Sequence, residues 1–196
     1  MKGKRQNAVL EKNEIRNKMR ERRKALSAEE RARRSLVICE KLSKAVSQFT
    51  AEACADKACI IAVYLASSRE IDLTPFILEI LDSKVALAAP RWNGETYQLA
   101  ELKSLSPRDL RHGPMNILEP AADKTILPQN VDIWIVPGLA FTAKGARLGY
   151  GGGWYDRLLA ASDPSSVKMG VAHAFQIVES LPAEAHDIML ERIVTE

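Results

Sequence analysis

A glycine-rich segment, Arg147–Asp156, contains the residue types that are best suited to binding phosphate. Its four glycines allow the backbone to adopt positive φ and to approach a ligand closely. Exposed amides before a helix favour phosphate oxygens, Arg147 adds a rigid positive fork, and Asp156 supplies a hard oxygen for Mg²⁺. The segment is neither a P-loop nor a dinucleotide fingerprint, since no Gly-Lys-Ser/Thr follows and Trp154 occupies the third glycine position. The alternative is a flexible turn, with Asp156 merely favourable at a helix start.

Two basic residues near the start of the sequence, Lys12 and Arg16, are four positions apart and share one face of any helix that contains them. Together they could bind a polyphosphate, although solvated side chains on a basic helix explain the same spacing. Glu70 follows the first predicted strand at its carboxyl end, and this edge of an open α/β sheet is where ligands bind. A surface carboxylate in a loop is the alternative for Glu70.

The remaining reactive residue types fit no standard catalytic or metal pattern. The three histidines lack metal-ligand spacing, and the three cysteines include no Cys-x-x-Cys pair. We therefore expect buried free thiols rather than a disulfide framework or a zinc site. No Gly-x-Ser-x-Gly context is present, so covalent hydrolase chemistry has no support. Asp187 is a further carboxylate near the end of the chain, and it indicates little by itself.

The overall composition favours a soluble globular protein. The 196 residues are 46% hydrophobic and 27% charged, and we expect one domain over residues 1–196. The longest apolar runs are too short to span a membrane, and the basic N-terminal stretch has no apolar core of a signal peptide. We therefore expect a cytoplasmic protein that has no membrane partner.

The net charge of +3 is unevenly distributed along the chain. Residues 1–34 contain 13 Lys/Arg and 5 Asp/Glu, a net of +8, so the rest of the chain has a net of −5. Such a segment could bind nucleic acid or the phosphates of a small ligand, or it could be the solvated face of a helix. No aromatic residue accompanies these charges, so nucleic-acid binding ranks below ligand binding.

Hydrophobic periodicity predicts an α/β fold: a mostly parallel sheet with helices on both faces, making three layers, and an N-terminal helical pair. Residues 7–25 form the first predicted helix. Ser27–Glu30 has the capping-box pattern that opens a second helix. The apolar stripe of the second helix is predicted at Leu36, Cys39, Leu42, Val46 and Phe49.

Short apolar runs rich in β-branched residues predict the strands, and Gly and Pro mark their ends. Thr74 is the predicted N-cap of a helix with Pro75 at its first position. Pro90 is expected to stop the second strand, and Thr142–Gly153 is expected to be a loop. The predicted strands are Cys59–Leu65, Val85–Ala89, Asp132–Val136 and Val167–Ala172, with Tyr97–Leu102 as an edge strand, and the further helices are Phe76–Leu81 and Trp154–Ala161.

Several of these segments together resemble the pattern of the 5-formyltetrahydrofolate cyclo-ligase (5,10-methenyltetrahydrofolate synthetase) family. The most specific match is Arg147–Arg157, preceded by Val-Pro-Gly-Leu-Ala-Phe-Thr at 136–142. Lys12-x-x-x-Arg16 and Glu70 occur in the expected order. Weaker collinear matches lie at Ala89–Arg91, Ile117–Pro120, Gly170–Gln176, Leu181–Pro182, His186–Asp187 and Ile193–Glu196.

The resemblance implies an ATP- and Mg²⁺-dependent ligase that converts 5-formyltetrahydrofolate into 5,10-methenyltetrahydrofolate and releases ADP and phosphate. ATP would phosphorylate the formyl oxygen, N10 would attack the activated carbon, and phosphate would leave as the ring closes. Because the reactants must be aligned and their charge neutralised, positioning should supply most of the catalysis.

The resemblance also implies roles for individual residues. Lys12 and Arg147 would be catalytic, and Asp156 and Asp187 would hold Mg²⁺. The ATP contacts would be Lys12, Arg16, Arg147, Leu148, Gly149, Tyr150, Gly151, Gly152, Gly153, Trp154 and Tyr155. The folate contacts would be Leu65, Glu70, Tyr150, Gly151, Gly152, Gly153 and Trp154.

Two positions depart from the family pattern and keep another interpretation open. Trp154 stands where the family commonly has Tyr, and Met115 stands where some relatives have an aromatic residue. A relative with the same fold that acts on another substrate is therefore the first alternative, because fold does not fix function. A nucleic-acid-binding protein that uses residues 1–34 is the second.

Overall fold

The computed structural model describes residues 2–53, 58–67, 69–83, 85–182 and 187–196. Its helices are α1 (Lys2–Lys24), α2 (Ala28–Ala53), α3 (Thr74–Leu81) and α4 (Trp154–Ala160). Its strands are β1 (Ile60–Ala62), β2 (Ala86–Trp92), β3 (Tyr97–Glu101), β4 (Leu110–His112), β5 (Leu118–Pro120), β6 (Thr125–Ile126), β7 (Ile133–Val136), β8 (Ala140–Thr142), β9 (Arg147–Leu148), β10 (Val167–Val171), β11 (Ile177–Val178) and β12 (Arg192–Val194).

The main sheet has seven strands in the order β12-β10-β7-β1-β2-β3-β6. The pairings from β12 to β2 are parallel, whereas β3 and β6 add to the sheet in antiparallel fashion. The carboxyl ends of β1, β7 and β10 therefore meet at one edge of the sheet. The protein is α/β, with a mixed sheet in which four of the six pairings are parallel.

Both faces of the central strands are buried. Successive residues of a strand point to opposite faces, and Ile61 and Ile133 lie in one apolar cluster with residues of α2 and α3. Ala62 and Trp134 lie in a second cluster with residues of α4. Such two-sided burial explains why these strands are continuous apolar runs in the sequence. The three-layer arrangement and the N-terminal helical pair stay predictions.

The start of α2 is capped as predicted only in part. Ser27 Oγ accepts a hydrogen bond from the Glu30 amide at 3.1 Å. The Glu30 carboxylate does not reach back, because it accepts hydrogen bonds from Arg33 and Arg34. These two guanidinium groups lower the pKa of Glu30 to about 2. In addition, α1 begins at Lys2, earlier than the predicted range.

The buried stripe of α2 differs from the prediction at one position. Cys39, Leu42 and Val46 are buried as expected, but Leu36 is 52% exposed and Ile38 is buried in its place. Helix α2 is rotated about its axis relative to the predicted orientation. Ser35 faces the core, where its hydroxyl accepts a hydrogen bond from the Asp72 amide. Cys39 is a free buried thiol, as predicted, Cys59 is also buried, and Cys54 lies outside the described residues.

The prediction that Pro90 stops β2 is wrong. The strand continues to Trp92, and Pro90 pairs with Leu99 of β3. Hydrogen bonds at Leu87–Leu102 and Asn93–Thr96 place Pro90 at a non-hydrogen-bonded position of this antiparallel pair, so its missing donor removes no ladder bond.

Two further predictions about ends and edges are corrected. β3 is not the edge strand, because β6 pairs with its outer side. Thr74 is not an N-cap: the cap position is Leu73, without a side-chain hydrogen bond, and Asp72 Oδ1 accepts from the Thr74 amide at 2.9 Å. Pro75 does lie in the first turn of α3, as predicted.

A small second sheet, in the order β11-β8-β9, lies beyond the carboxyl end of β7. The predicted loop Thr142–Gly153 is therefore shorter than expected, because β9 pairs with β8 as a hairpin. Leu148 is buried against Met19 of α1 and Leu139. Within the described part of the chain, no helix is both long enough and apolar enough to cross a membrane.

Candidate active site

The glycine loop, residues Gly149–Gly153, connects β9 to α4. Gly151 and Gly153 have φ of 109° and 64°, backbone angles that residues other than glycine rarely adopt. A Cβ atom on Gly152 would lie 2.6 Å from Trp154 Nε1. The backbone conformation that the sequence predicted for this loop is confirmed at these positions.

Arg147 and Asp156 are joined across the base of the loop. Arg147 Nη2 and Asp156 Oδ1 form an ion pair, and Arg147 Nη1 donates to the Pro137 carbonyl at 3.2 Å. The Arg147 side chain is only 4% exposed, whereas that of Asp156 is 35% exposed. In this arrangement the predicted phosphate-binding cation and the predicted metal ligand neutralise each other and hold the two ends of the loop together.

Helix α1 packs directly on the glycine loop. Arg16 Nε donates to the Gly149 carbonyl at 3.0 Å, although the two residues are 133 positions apart in sequence. The guanidinium group also lies against Gly151. Lys12 is half-buried one helical turn away on the same face. The predicted proximity of α1 and the loop is confirmed.

Arg23 is a site residue that the sequence reasoning missed. It is 4% exposed, and it donates to the Gly138 carbonyl and, at 2.5 Å, to the Tyr150 hydroxyl. Seven residues separate it from Arg16, which is two helical turns, so the two arginines share one face of α1. That periodicity is the signal that could have identified Arg23.

The turn after β7 is fixed by three side chains that donate to its carbonyl groups. Arg147 donates to Pro137 and Arg23 to Gly138. Gln176 Nε2 donates to both Gly138 and Leu139 at 3.0 and 2.9 Å. Because buried carbonyls need partners, this turn has a defined conformation beside the glycine loop.

Glu70 lies beside the same loop, beyond the carboxyl end of β1. Its Oε1 accepts from the Tyr150 hydroxyl at 2.6 Å, and its Oε2 accepts from the Ser67 amide at 2.8 Å. Although Tyr150 as a whole is 44% exposed, its hydroxyl is enclosed between Arg23 and Glu70. This desolvation, with the neighbouring Glu70 carboxylate, raises the pKa of Tyr150 above its usual range. The phenol therefore stays a neutral hydrogen-bond donor to Glu70.

A cleft of about 270 Å³ opens beside Tyr150. Three arginines contribute to its wall, so the cleft is electropositive and suits an anionic group. Its lining residues are Arg20, Arg23, Ser67, Arg69, Leu139 and Tyr150.

Trp154 belongs to an aromatic cluster with Trp92 and Tyr97, in which the ring centroids are 5.2 to 5.4 Å apart in edge-on geometry. The Arg157 guanidinium lies 4.2 Å from the centre of the Trp154 ring, so one face of that ring is covered. The predicted contact of Trp154 with a ligand stays a prediction. The ring surface that remains for stacking is limited by these neighbours.

Three other predicted site residues use their side chains mainly for packing. Leu148 is 3% exposed, Leu65 packs against the first apolar cluster, and Tyr155 packs against both main clusters. Burial raises the pKa of Tyr155 above its usual range. Any ligand contact at Leu148 or Tyr155 would therefore come mostly from the backbone.

The predicted metal ligands do not form a preassembled cluster. Among the described residues no group of three or more acidic, His or Cys side chains converges as a metal site. Mg²⁺ commonly takes only one or two carboxylates and completes its shell with phosphate and water. Asp156 lies at the start of α4 and Asp187 is half-buried near the end of the chain, and their role as metal ligands stays a prediction.

The two described histidines take no visible part in this site. His112 is exposed on β4, and His173 is fully buried after β10. Burial lowers the pKa of His173 to about 4, so its ring is neutral at physiological pH. His186 lies outside the described residues.

The fold and the site together define an α/β protein with a mixed sheet and a glycine-rich loop that leads into a helix. The model of the 5-formyltetrahydrofolate cyclo-ligase family matches residues 8–196. The chain therefore belongs to that family, as the sequence resemblance indicated.

Individual relatives agree with this assignment. The chain is 26% identical over 193 residues to the mouse 5-formyltetrahydrofolate cyclo-ligase, covering 93% of this chain and 92% of that protein. It is 34% identical over 139 residues to the Escherichia coli K12 protein of the same name, covering 69% and 76%. The NMR structure of Aquifex aeolicus 5,10-methenyltetrahydrofolate synthetase superimposes with a TM-score of 0.76 at 36% identity, covering 94% and 89%.

Proposed function

We propose that this protein converts 5-formyltetrahydrofolate into 5,10-methenyltetrahydrofolate, using ATP and Mg²⁺ and releasing ADP and phosphate. The observation that carries the proposal is the convergence of α1, the glycine loop and Glu70 at one edge of the sheet, linked by the Arg16–Gly149 and Tyr150–Glu70 hydrogen bonds. Family membership supports the same reaction.

The nucleotide half of the site consists of Lys12, Arg16 and the glycine loop. The loop backbone is open to a ligand at Gly151, because the three atoms nearest to a Cβ there, all of the Arg16 guanidinium, would lie 3.7 to 3.8 Å away. Charge-assisted hydrogen bonds from arginine suit phosphate oxygens. Arg147 supports this surface from below, because its fork is occupied by Asp156 and the Pro137 carbonyl.

The folate half of the site is centred on Glu70. Each carboxylate oxygen has two acceptor positions, and one on each oxygen is used by Tyr150 or Ser67. The remaining positions suit two parallel N–H donors, as on the donor edge of a pterin. Because both oxygens are held by the protein, the plane of the carboxylate is fixed before a ligand binds.

Mg²⁺ would be held by Asp156 and Asp187 together with phosphate oxygens. When bound, the ion would neutralise the charge on the transferring phosphoryl group. Asp156 uses Oδ1 for Arg147, so its second oxygen is the one suited to a metal. The ion pair then orients that carboxylate.

In the proposed reaction the formyl oxygen takes the γ-phosphoryl group and ADP leaves. N10 then adds to the activated carbon, which closes the five-membered ring, and loss of the N10 proton and of phosphate gives the methenyl product. The protein's task is to hold an anionic donor against a weakly nucleophilic amide oxygen, which is a matter of alignment and charge neutralisation. Lys12 is the proposed catalytic cation that faces the phosphates.

The basic N-terminal segment favours this function over nucleic-acid binding. Arg16 and Arg23 turn inward to the glycine loop and the β7 turn, so part of its charge is used within the site. We accordingly propose a small-molecule substrate. The composition of the sequence is the basis for also proposing a cytoplasmic location.

A direct assay tests the proposal. Purified protein, Mg-ATP and 5-formyltetrahydrofolate are mixed, and the absorbance of the methenyl product is followed together with ADP release. We expect one ADP per methenyl group and no product without ATP or with a chelator. Product formation without nucleotide, or no product under any nucleotide condition, would refute the assignment.

A further inference from the structure

Arg23 is a buried cation, only 4% exposed. Among the described residues no carboxylate forms a direct ion pair with it. Its Nε atom also lacks a hydrogen-bond partner among those residues. Burying such a group is costly, so a positive charge at this position indicates a role beyond packing.

The hydrogen bonds of Arg23 lead to Glu70 through one intermediate. A guanidinium group can only donate, so the Tyr150 oxygen accepts from Arg23 Nη1 at 2.5 Å. The single hydroxyl proton of Tyr150 is then directed to Glu70 Oε1 at 2.6 Å. We call this connection the Arg23–Tyr150–Glu70 chain.

We propose that Arg23 is a positioning residue that orients the folate-binding carboxylate of Glu70 through the Tyr150 hydroxyl. The inference rests on the proposed function for the identity of the ligand. The second Nη atom of Arg23 donates to the Gly138 carbonyl, which fixes the guanidinium beside the loop. The chain thereby links α1, which bears the nucleotide-binding Arg16, to the folate side of the site.

Substitutions at the two ends of the first hydrogen bond test this role. Tyr150→Phe removes the connecting hydroxyl from a side chain that is 44% exposed, and Arg23→Met removes the buried cation. Each should weaken 5-formyltetrahydrofolate binding about tenfold, the equivalent of one hydrogen bond to a charged group. The folate KM should rise similarly, while ATP affinity changes less than about twofold.

The double variant Arg23→Met/Tyr150→Phe provides the decisive comparison. If both residues act through the same chain, the double variant should bind folate no worse than either single variant. Additive losses, or equal losses of folate and ATP affinity, would show a general structural role and overturn the proposal. Lys24→Met, at the exposed neighbouring position on α1, is the matched control for loss of one positive charge and should match the wild type.

A ligand-free measurement separates this proposal from the proposed function. The Ser67 amide donates to Glu70 Oε2, so its hydrogen exchange reports how firmly the carboxylate is held. Both single variants should accelerate hydrogen exchange at the Ser67 amide. Unchanged exchange would refute the Arg23–Tyr150–Glu70 chain even if the wild type binds no folate. Should Arg23→Met not fold, Arg23→Lys replaces it, because a single ammonium group cannot span both the Gly138 carbonyl and Tyr150.

Discussion

At the scale of single residues, the Arg147–Asp156 ion pair gives Asp156 two tasks. One carboxylate oxygen holds Arg147 at the base of the glycine loop, and the other is available to the proposed Mg²⁺. An amide in place of the carboxylate would keep the shape of the side chain but would be a weak ligand for a hard cation. The two tasks can therefore be separated by changing the metal concentration.

We predict that Asp156→Asn stays folded and loses activity by roughly tenfold or more, as expected when a metal-binding carboxylate is neutralised. The loss should be largest at limiting Mg²⁺ and smaller at saturating Mg²⁺. Steady-state kinetics across a Mg²⁺ titration measure this, with Asp82→Asn, an exposed position at the end of α3, as the control. If Asp156→Asn turns over like the wild type at limiting Mg²⁺, Asp156 does not bind the metal, and its contact with Arg147 is its only remaining role.

Asp187→Asn should behave in the same way but more mildly.

Glu70 provides the second prediction at this scale. In Glu70→Gln one acceptor oxygen becomes an N–H₂ donor, which conflicts with the donors that already face it from Tyr150 and Ser67. We expect folate binding to weaken by about 1–3 kcal/mol, the range for a lost hydrogen bond to a charged group, with nearly normal ATP binding. Calorimetry with each ligand alone measures both, and Glu95→Gln at an exposed turn is the control. A loss of ATP affinity instead would place Glu70 on the nucleotide side.

At the scale of secondary structure, α1 is the element that completes the nucleotide half of the site. We predict that Arg16→Ala weakens ATP binding by about 1–3 kcal/mol, because a charge-assisted hydrogen bond is lost, and leaves folate binding without ATP nearly unchanged. Calorimetry at one fixed salt concentration is required, since exposed charges are screened. Lys18→Ala, an exposed cation on the same helix, is the control.

The opposite outcome for Arg16→Ala is equally informative. Intact ATP affinity combined with reduced binding to DNA or RNA would show that the basic face of α1 serves another partner. The contact with Gly149 would then only hold the helix in place.

β7 and β10 were the easiest elements to predict from the sequence, whereas β1 covers only Ile60–Ala62 and ends three residues before the predicted Leu65. β7 and β10 match their predicted ranges to within one residue at either end, because burial on both faces leaves an uninterrupted apolar run. Pro90 shows the limit of such reasoning. Proline argues against a strand only where a ladder bond is lost, and the register with β3 that makes it harmless is a tertiary property.

Only part of the candidate site could be predicted from the sequence. The glycine loop is a local motif, so its residue types reveal it directly, and Gly151 and Gly153 adopt the expected backbone. Arg23 was hidden among the basic residues of α1, since the sequence cannot show which cations turn inward. Its partners Gly138 and Tyr150 lie 115 and 127 positions away, and only the folded chain brings them together.

At the scale of the whole molecule, the environment of His173 links the end of the chain to its core. His173 is fully buried, its two ring nitrogens lack hydrogen-bond partners among the described residues, and Glu196 Oε2 is 3.9 Å from Nδ1. Burial is the main reason that the pKa of His173 falls to about 4, and Arg23, Arg31 and Arg34 add to the effect. The Glu196 carboxylate acts in the opposite direction and is outweighed.

This lowered pKa predicts how the free energy of unfolding depends on pH. The ordinary value of 6.5 applies to the unfolded chain, so between pH 6.5 and about 4 the unfolded chain binds a proton that the folded chain excludes. The stabilisation that comes from keeping His173 neutral is therefore fully present above pH 6.5. As the pH falls through this window, the free energy of unfolding decreases by up to about 1.4 kcal/mol per pH unit. Urea unfolding at a series of pH values measures it. His173→Leu should show a shallower loss than the wild type, whereas His112→Gln, which changes an exposed histidine, should follow the wild type. Parallel curves for His173→Leu and the wild type would mean that His173 is not the group responsible.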